Sequence, residues 1–98
     1  MPRASKKTYQ AAAATNVIVA TGKAILERII IGADVASGVI EISDSDSDGN
    51  GNIVVRLAGS TLMTSNAGVV EIGAVFDNGI SCEMTNQTYV TFIWSEIF

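Results

Sequence analysis

From residue 15 to residue 98 the chain alternates apolar and polar side chains in short runs. Glycine, aspartate, asparagine and serine separate these runs. A period of two residues is the pattern of a β-strand that buries one face. The single proline is Pro2, so no proline interrupts the runs. The pattern predicts an all-β fold, an antiparallel β-sandwich or jelly roll of seven to eight short strands.

The predicted strands recur at intervals of about 8 to 12 residues, which is typical of a sandwich. They cover residues 16–20, 24–31, 39–43, 53–58, 61–64, 69–76, 80–84 and 89–95. Between the sixth and seventh, Asp77-Asn78-Gly79 predicts a hairpin turn. Side chains that alternate inward are expected to be largely buried: Ile29, Ile31, Ile40, Ile42, Val55, Leu57, Ile72, Phe92 and Trp94.

Residues 1–14 differ from the rest, because they are basic, rich in small side chains and free of acidic groups. They lack an apolar period, so we expect an N-terminal arm over 1–14 and a sandwich domain over 15–98. The arm is expected to be extended, mobile in the isolated chain and ordered against a neighbouring chain. Its attachment residues would be Arg3, Lys6, Lys7 and the large anchor Tyr9. Deletion of residues 2–12 would remove none of the predicted strands.

The net charge of −4 is unevenly distributed along the chain. Residues 1–26 contain four cations and no acid, and the remainder contains all ten aspartates and glutamates. A cationic segment on an acidic body favours a tail that binds an acidic surface. A short solvated terminus is the alternative. Nucleic acid is not expected as a partner, because the acidic body would repel it and the three cations of residues 1–14 offer few phosphate contacts.

Apolar residues make up 48% of the chain and charged residues 16%, against about 25% charged in an average soluble domain. A domain of 98 residues has difficulty hiding so much apolar surface, so we expect self-association, most simply as a homotrimer. No apolar run approaches the roughly 18 residues of a membrane span, and no membrane partner is expected. No leucine-rich core follows the N-terminal cations, so we expect synthesis in the cytoplasm.

Catalytic chemistry is poorly represented in the sequence. There is no histidine, the commonest general base and metal ligand, and no serine lies in a nucleophile elbow. Cys82 is the only cysteine, and it alternates with Ile80 and Met84, so we expect a buried structural thiol. The sequence therefore predicts a protein that is not an enzyme and that needs no cofactor.

The segment Asp44-Ser45-Asp46-Ser47-Asp48-Gly49 resembles the first half of an EF-hand calcium loop. The match then fails, because the twelfth position is Val55 where a bidentate glutamate is required. No metal site is therefore expected, with Asp44, Asp46 and Asp48 as weak candidates. The alternative is a solvated acidic loop that resists edge pairing.

A carbohydrate platform would need exposed aromatic side chains on one face. Tyr89 alternates onto the face opposite Phe92 and Trp94, so the strand over 89–95 predicts a core role for its aromatics instead.

Four segments together resemble small structural proteins encoded beside the capsid and tail genes of tailed bacteriophages. They are the run over 23–31 (KAILERIII), the run over 37–44 (SGVIEISD), the turn over 75–80 (VFDNGI) and the closing strand over 89–94 (YVTFIW). The resemblance covers roughly residues 16–95. It does not include the acidic loop or the basic arm.

This resemblance implies a virion component made in the bacterial cytoplasm, most simply a capsid decoration or cement protein. Such a protein docks on the major capsid lattice, often as a trimer, and stabilises the shell by many repeated contacts. Two alternatives stay open. One is a head or tail fibre or adaptor component, and the other is a small calcium- or carbohydrate-binding β module.

Overall fold

The computed structural model describes residues 5–10, 12, 17–32, 37–45, 52–58 and 68–97. Over these residues the chain is all-β, which confirms the predicted fold class. The strands are β1 (Lys6–Gln10), β2 (Val17–Thr21), β3 (Ala24–Ile31), β4 (Val39–Asp44), β5 (Asn52–Ala58), β6 (Val69–Phe76), β7 (Gly79–Thr85) and β8 (Val90–Glu96). The strand predicted over 61–64 lies outside the described residues.

The described strands form two antiparallel sheets of four strands each. Sheet A has the order β1-β8-β3-β6, and sheet B has the order β2-β7-β4-β5. The chain pairs β1 with β8, β2 with β7, β3 with β6 and β4 with β5, as one long hairpin rolled into two layers would. This strand order is that of a jelly roll.

The core lies between the inner faces of the two sheets. Leu26, Ile29 and Phe92 of sheet A and Ile40 and Ile42 of sheet B are fully buried there. The other predicted core residues are also placed inward. Ile31 is buried, and four residues are partly buried and pack against the core: Val55, Leu57, Ile72 and Trp94. Three of these four lie on the edge strands β5 and β6, where one flank of each residue has no neighbouring strand.

The hairpin predicted at Asp77-Asn78-Gly79 is wrong, because β6 belongs to sheet A and β7 to sheet B. The two strands do not pair, and the turn instead carries the chain from one sheet to the other. The connection from β2 to β3 crosses in the same way at Gly22, whose φ of +81° is left-handed. The Gly22 N–H donates to the Asn78 carbonyl at 3.2 Å, so the two crossovers lie side by side at one end of the sandwich.

Candidate functional site

The outer surface of sheet A, called face A, carries a mostly apolar row of one threonine and three larger apolar residues that crosses all four strands. Residues opposite each other in an antiparallel pair point to the same side. Tyr9 lies opposite Thr91, Thr91 opposite Ile30, and Ile30 opposite Val69. Tyr9 is 59% exposed and Ile30 is 38% exposed, and Val75 farther along β6 is 52% exposed. Large apolar side chains grouped on one exposed face are typical of a surface that another molecule covers.

A charged row follows the apolar one on face A. Lys7 lies opposite Ile93, Ile93 opposite Arg28, and Arg28 opposite Glu71. The Arg28 guanidinium pairs with the Glu71 carboxylate at 3.1 Å. Lys7 is exposed, and none of the described residues forms an ion pair with it. The row therefore carries an unpaired cation on edge strand β1 and a carboxylate on edge strand β6.

A fourth charged residue on face A, Glu27, accepts hydrogen bonds from neighbouring hydroxyls. The register of β3 shifts between Leu26 and Arg28 against both neighbouring strands, which marks a β-bulge at Glu27. The Glu27 carboxylate accepts hydrogen bonds from Ser95 Oγ at 2.8 Å and from Ser5 Oγ at 2.9 Å. The bulge thus aims an acidic side chain at hydroxyl donors of its own chain.

The prediction that residues 1–14 contain no strand is wrong for Lys6–Gln10, which form β1 and pair with β8 in full register. The inner side of β1 is tied to β8 by polar contacts. Trp94 Nε1 donates to Thr8 Oγ1 at 3.0 Å, and Lys6 pairs with Glu96 and lies over the Trp94 ring at 5.3 Å. Because the inward residues of β1 are polar, the apolar alternation that predicts a strand is absent from this segment.

The predicted attachment residues therefore have different positions. Lys7 and Tyr9 project from face A. Lys6 is engaged inside its own chain with Glu96. Arg3 lies outside the described residues. A deletion over 2–12 removes β1, contrary to the expectation that no strand would be lost.

The outer surface of sheet B, called face B, has isoleucines at both edges. Ile18 on β2 is 38% exposed and Ile53 on β5 is 55% exposed. Between them in the same row lie Ser81 and Ser43, which are buried. The two small, buried serines therefore form a shallow depression between the exposed isoleucines at the two edges.

An acidic row follows on face B. Glu41 lies opposite Glu83 on one side and opposite Arg56 on the other. Arg56 pairs with Glu41 at 3.1 Å, and none of the described ion pairs includes Glu83. Glu41 and Glu83 place two carboxylates side by side against one arginine, so the centre of face B is acidic. The two carboxylates repel each other, because they lie directly opposite across neighbouring strands.

The Asp44 carboxylate, proposed as a weak calcium candidate, holds the turn between β6 and β7. It accepts hydrogen bonds from the backbone N–H of Asn78 at 2.8 Å and of Asp77 at 3.2 Å. Each carboxylate oxygen thus has a donor within the chain. Asp46 and Asp48 lie outside the described residues, and no three acidic or cysteine side chains elsewhere in the described parts come together as a metal site.

Cys82 is buried on the inner side of β7, between Ile80 and Met84, as its alternation predicted. Burial raises the pKa of the thiol from its ordinary 9.0 to about 12, and the carboxylates of Glu83 and Glu41 add to this rise. The protonated thiol is inert as a nucleophile. The structure therefore supports the structural role.

The aromatic residues near the C-terminus do not form a platform. The predicted core role holds for Phe92, which is fully buried, and for Trp94, which packs against the core. It is wrong for Tyr89, which is 51% exposed in the connection from β7 to β8. The Tyr89 backbone has a left-handed φ of +55°, which is unusual for an aromatic residue. Its carbonyl accepts a hydrogen bond from the Gly32 N–H at 2.7 Å.

Within the described ranges the two sheets enclose no cavity that would hold a small molecule. None of these residues forms a helix with the length and apolar character that crossing a bilayer requires. Comparison of the chain with family models, with curated proteins and with solved structures found no match.

Proposed function

We propose that this chain is a non-enzymatic structural protein of a tailed-bacteriophage virion, a decoration or cement protein that docks on the major capsid lattice. The observation that carries the proposal is the exposure of apolar side chains on both outer faces of a small sandwich. Tyr9, Ile30 and Val75 on face A and Ile18 and Ile53 on face B each leave more than a third of their surface exposed. Apolar faces of this kind suit repeated contacts between proteins.

Exposed apolar side chains on two opposed faces offer two surfaces for neighbouring proteins. In a decorated shell these are the capsid lattice and another copy of the decoration protein. The resemblance favours a homo-oligomer, and we propose Lys7 and Tyr9 as contact residues for a neighbouring chain. Many weak contacts of this kind add up over the shell and stabilise it.

The jelly-roll order agrees with this proposal but does not select it, because the same architecture occurs in viral capsid, lectin and cupin domains. The selection comes from the short phage-like motifs over 16–95 and from the absence of a ligand cavity among the described residues. A calcium module is not favoured, because Asp44 already binds the turn at Asp77 and Asn78.

A head or tail fibre or adaptor component is the second candidate, since its subunits would also meet through exposed sheet faces. The two differ in copy number. A shell protein is present in hundreds of copies per particle and a tail or fibre component in few.

Re-decoration of particles stripped of this protein tests the proposal. The purified chain should rebind, and the variant Ile53→Lys should lose most of its occupancy because a charge replaces the exposed side chain on face B. Asn78→Lys, in the exposed turn where the chain crosses between the two sheets, is the control and should rebind as the wild type does. Failure of the wild type to rebind would contradict the docking role. Full occupancy by Ile53→Lys would remove face B from the contact.

A further inference from the structure

We infer that two copies of this chain pair through face A, related by a two-fold axis that runs along the strands between β8 and β3. The inference rests on the proposed function in one respect, that face A is an assembly surface. It names the partner of that surface as a second copy. The purified protein tests it without any particle, so the failure of pairing and the failure of shell docking give different results.

Apolar side chains supply the contact. Under this axis β1 of one copy lies over β6 of the other, and each cross-strand row stays level with itself. Tyr9 of one copy then lies over Val69 of the other, and Ile30 over Thr91. The β1–β8 half of the row in one copy thus covers the β3–β6 half of the row in the other copy.

The charges select this axis over the other two-fold axis in the plane of the sheet. With the axis along the strands, Lys7 of one copy faces Glu71 of the second copy, and the same pair forms again on the opposite rim. With the axis across the strands, β1 would lie over β1 and β6 over β6, so the two Lys7 side chains would share one rim and the two Glu71 side chains the other. Opposite charges attract and like charges repel by the same law, so only the first arrangement is complementary.

The remaining charged groups of face A are compatible with being covered. Arg28 is paired with Glu71 at 3.1 Å, and Glu27 accepts hydrogen bonds from Ser5 and Ser95. Lys7 is the cation of the face that none of the described residues pairs with, and the second copy supplies its carboxylate. Burial of face A therefore adds a partner for an unpaired charge.

Face B does not fit the same role. Glu41 and Glu83 lie at its centre, and a two-fold partner would bring the same two carboxylates against them. Face B is therefore left to a different partner, in agreement with shell docking.

The size of face A sets the expected strength. Four strands at about 4.8 Å and seven residues at about 3.4 Å cover roughly 450 Å² per copy, below the roughly 800 Å² of a standard interface. We expect a dissociation constant in the micromolar range. A two-fold contact closes at two copies, so this face gives a pair and not the trimer that composition suggested.

Sedimentation equilibrium between about 5 and 300 μM tests the pairing, the range that a micromolar constant requires. The wild type should move from one-chain to two-chain mass. Ile30→Lys should weaken association at least about ten-fold, because it places a charge at the centre of face A. Ile53 lies on face B and is more exposed than Ile30, and the variant Ile53→Lys should leave association unchanged. A wild type that stays monomeric throughout, a three-chain mass, or an effect of Ile53→Lys equal to that of Ile30→Lys would each overturn the inference.

Charge exchange tests the geometry. Lys7→Glu and Glu71→Lys should each pair more weakly than the wild type, because each creates two like-charge contacts in its own pair. Mixed one to one, they should form a mixed pair tighter than either variant alone, since both rims again have opposite charges. Equal melting temperatures would verify that the variants are folded. A mixture that associates no better than its components would contradict the two-fold axis along the strands.

Discussion

The indole N–H of Trp94 donates to the hydroxyl of Thr8 at 3.0 Å and thereby joins the edge strand β1 to β8. Thr8→Val keeps the shape of the side chain but leaves the half-buried indole N–H without this acceptor. We expect a loss of about 0.5 to 1.5 kcal/mol in the free energy of unfolding. Thr8→Ser, which keeps the hydroxyl, is the control. Chemical denaturation measures both, and equal stability of Thr8→Val and the wild type would show that the bond contributes nothing.

The Asp44 carboxylate should hold the β6–β7 turn and not a calcium ion. Asp44→Ala removes the acceptor of two backbone N–H groups, so we expect a loss of about 1 to 3 kcal/mol in the free energy of unfolding. Asp44→Asn keeps one acceptor oxygen and should lose less.

Calcium titration by calorimetry of the wild type should show weak binding or none, because Val55 denies the loop its bidentate ligand. A sub-micromolar affinity would mean that other groups complete a site, and would favour a calcium-binding module.

Cys82 should stay unreactive in the folded protein, and it should make the free energy of unfolding depend on pH in the alkaline range. The native thiol, with a pKa of about 12, keeps its proton where the unfolded thiol, with a pKa near 9.0, loses it. The unfolded state therefore binds fewer protons between these values, and stability should fall as pH rises from about 9 towards 12. Cys82→Ala should fall less steeply over that window. Rapid labelling of the native thiol by a disulfide reagent at pH 8 would contradict its burial.

Gly32 should not tolerate a side chain. A Cβ at this position would lie 2.9 Å from the Tyr89 carbonyl oxygen, the group that accepts the Gly32 N–H bond. Gly32→Ala must displace backbone, and we expect a loss of about 1 to 3 kcal/mol in the free energy of unfolding. Gly22→Ala has open space around it, so any loss there comes from its left-handed φ alone. Thermal melts compare the two variants. An unchanged melting temperature for Gly32→Ala would show that the backbone at Gly32 and Tyr89 moves apart without a loss of stability.

Alternation and turn residues together located most of the strands. The predicted bounds 24–31 and 69–76 are those of β3 and β6, because Gly22 and Gly32 flank the first apolar run and Gly68 and Asp77 flank the second. β1 escaped prediction, since its inward residues Lys6 and Thr8 reach polar partners on β8.

Alternation also does not predict to which of the two sheets a strand belongs. Asp77-Asn78-Gly79 has the composition of a hairpin, yet its flanking strands pair with β3 and β4 in different sheets. The rows of face A depend on register across such long-range pairs, with a bulge at Glu27 that shifts it. Charge and size predict Lys7 and Tyr9 as contact residues, but Ile30 and Glu71 lie beside them only in the folded sheet.

The copy number of this chain in virus particles, purified from cells that make it, tests the central claim most directly. Quantitative mass spectrometry should find it in the particles at hundreds of copies, in a fixed ratio to the major capsid protein. Absence of the chain from purified particles, with the protein abundant in the cell lysate, would contradict a virion role.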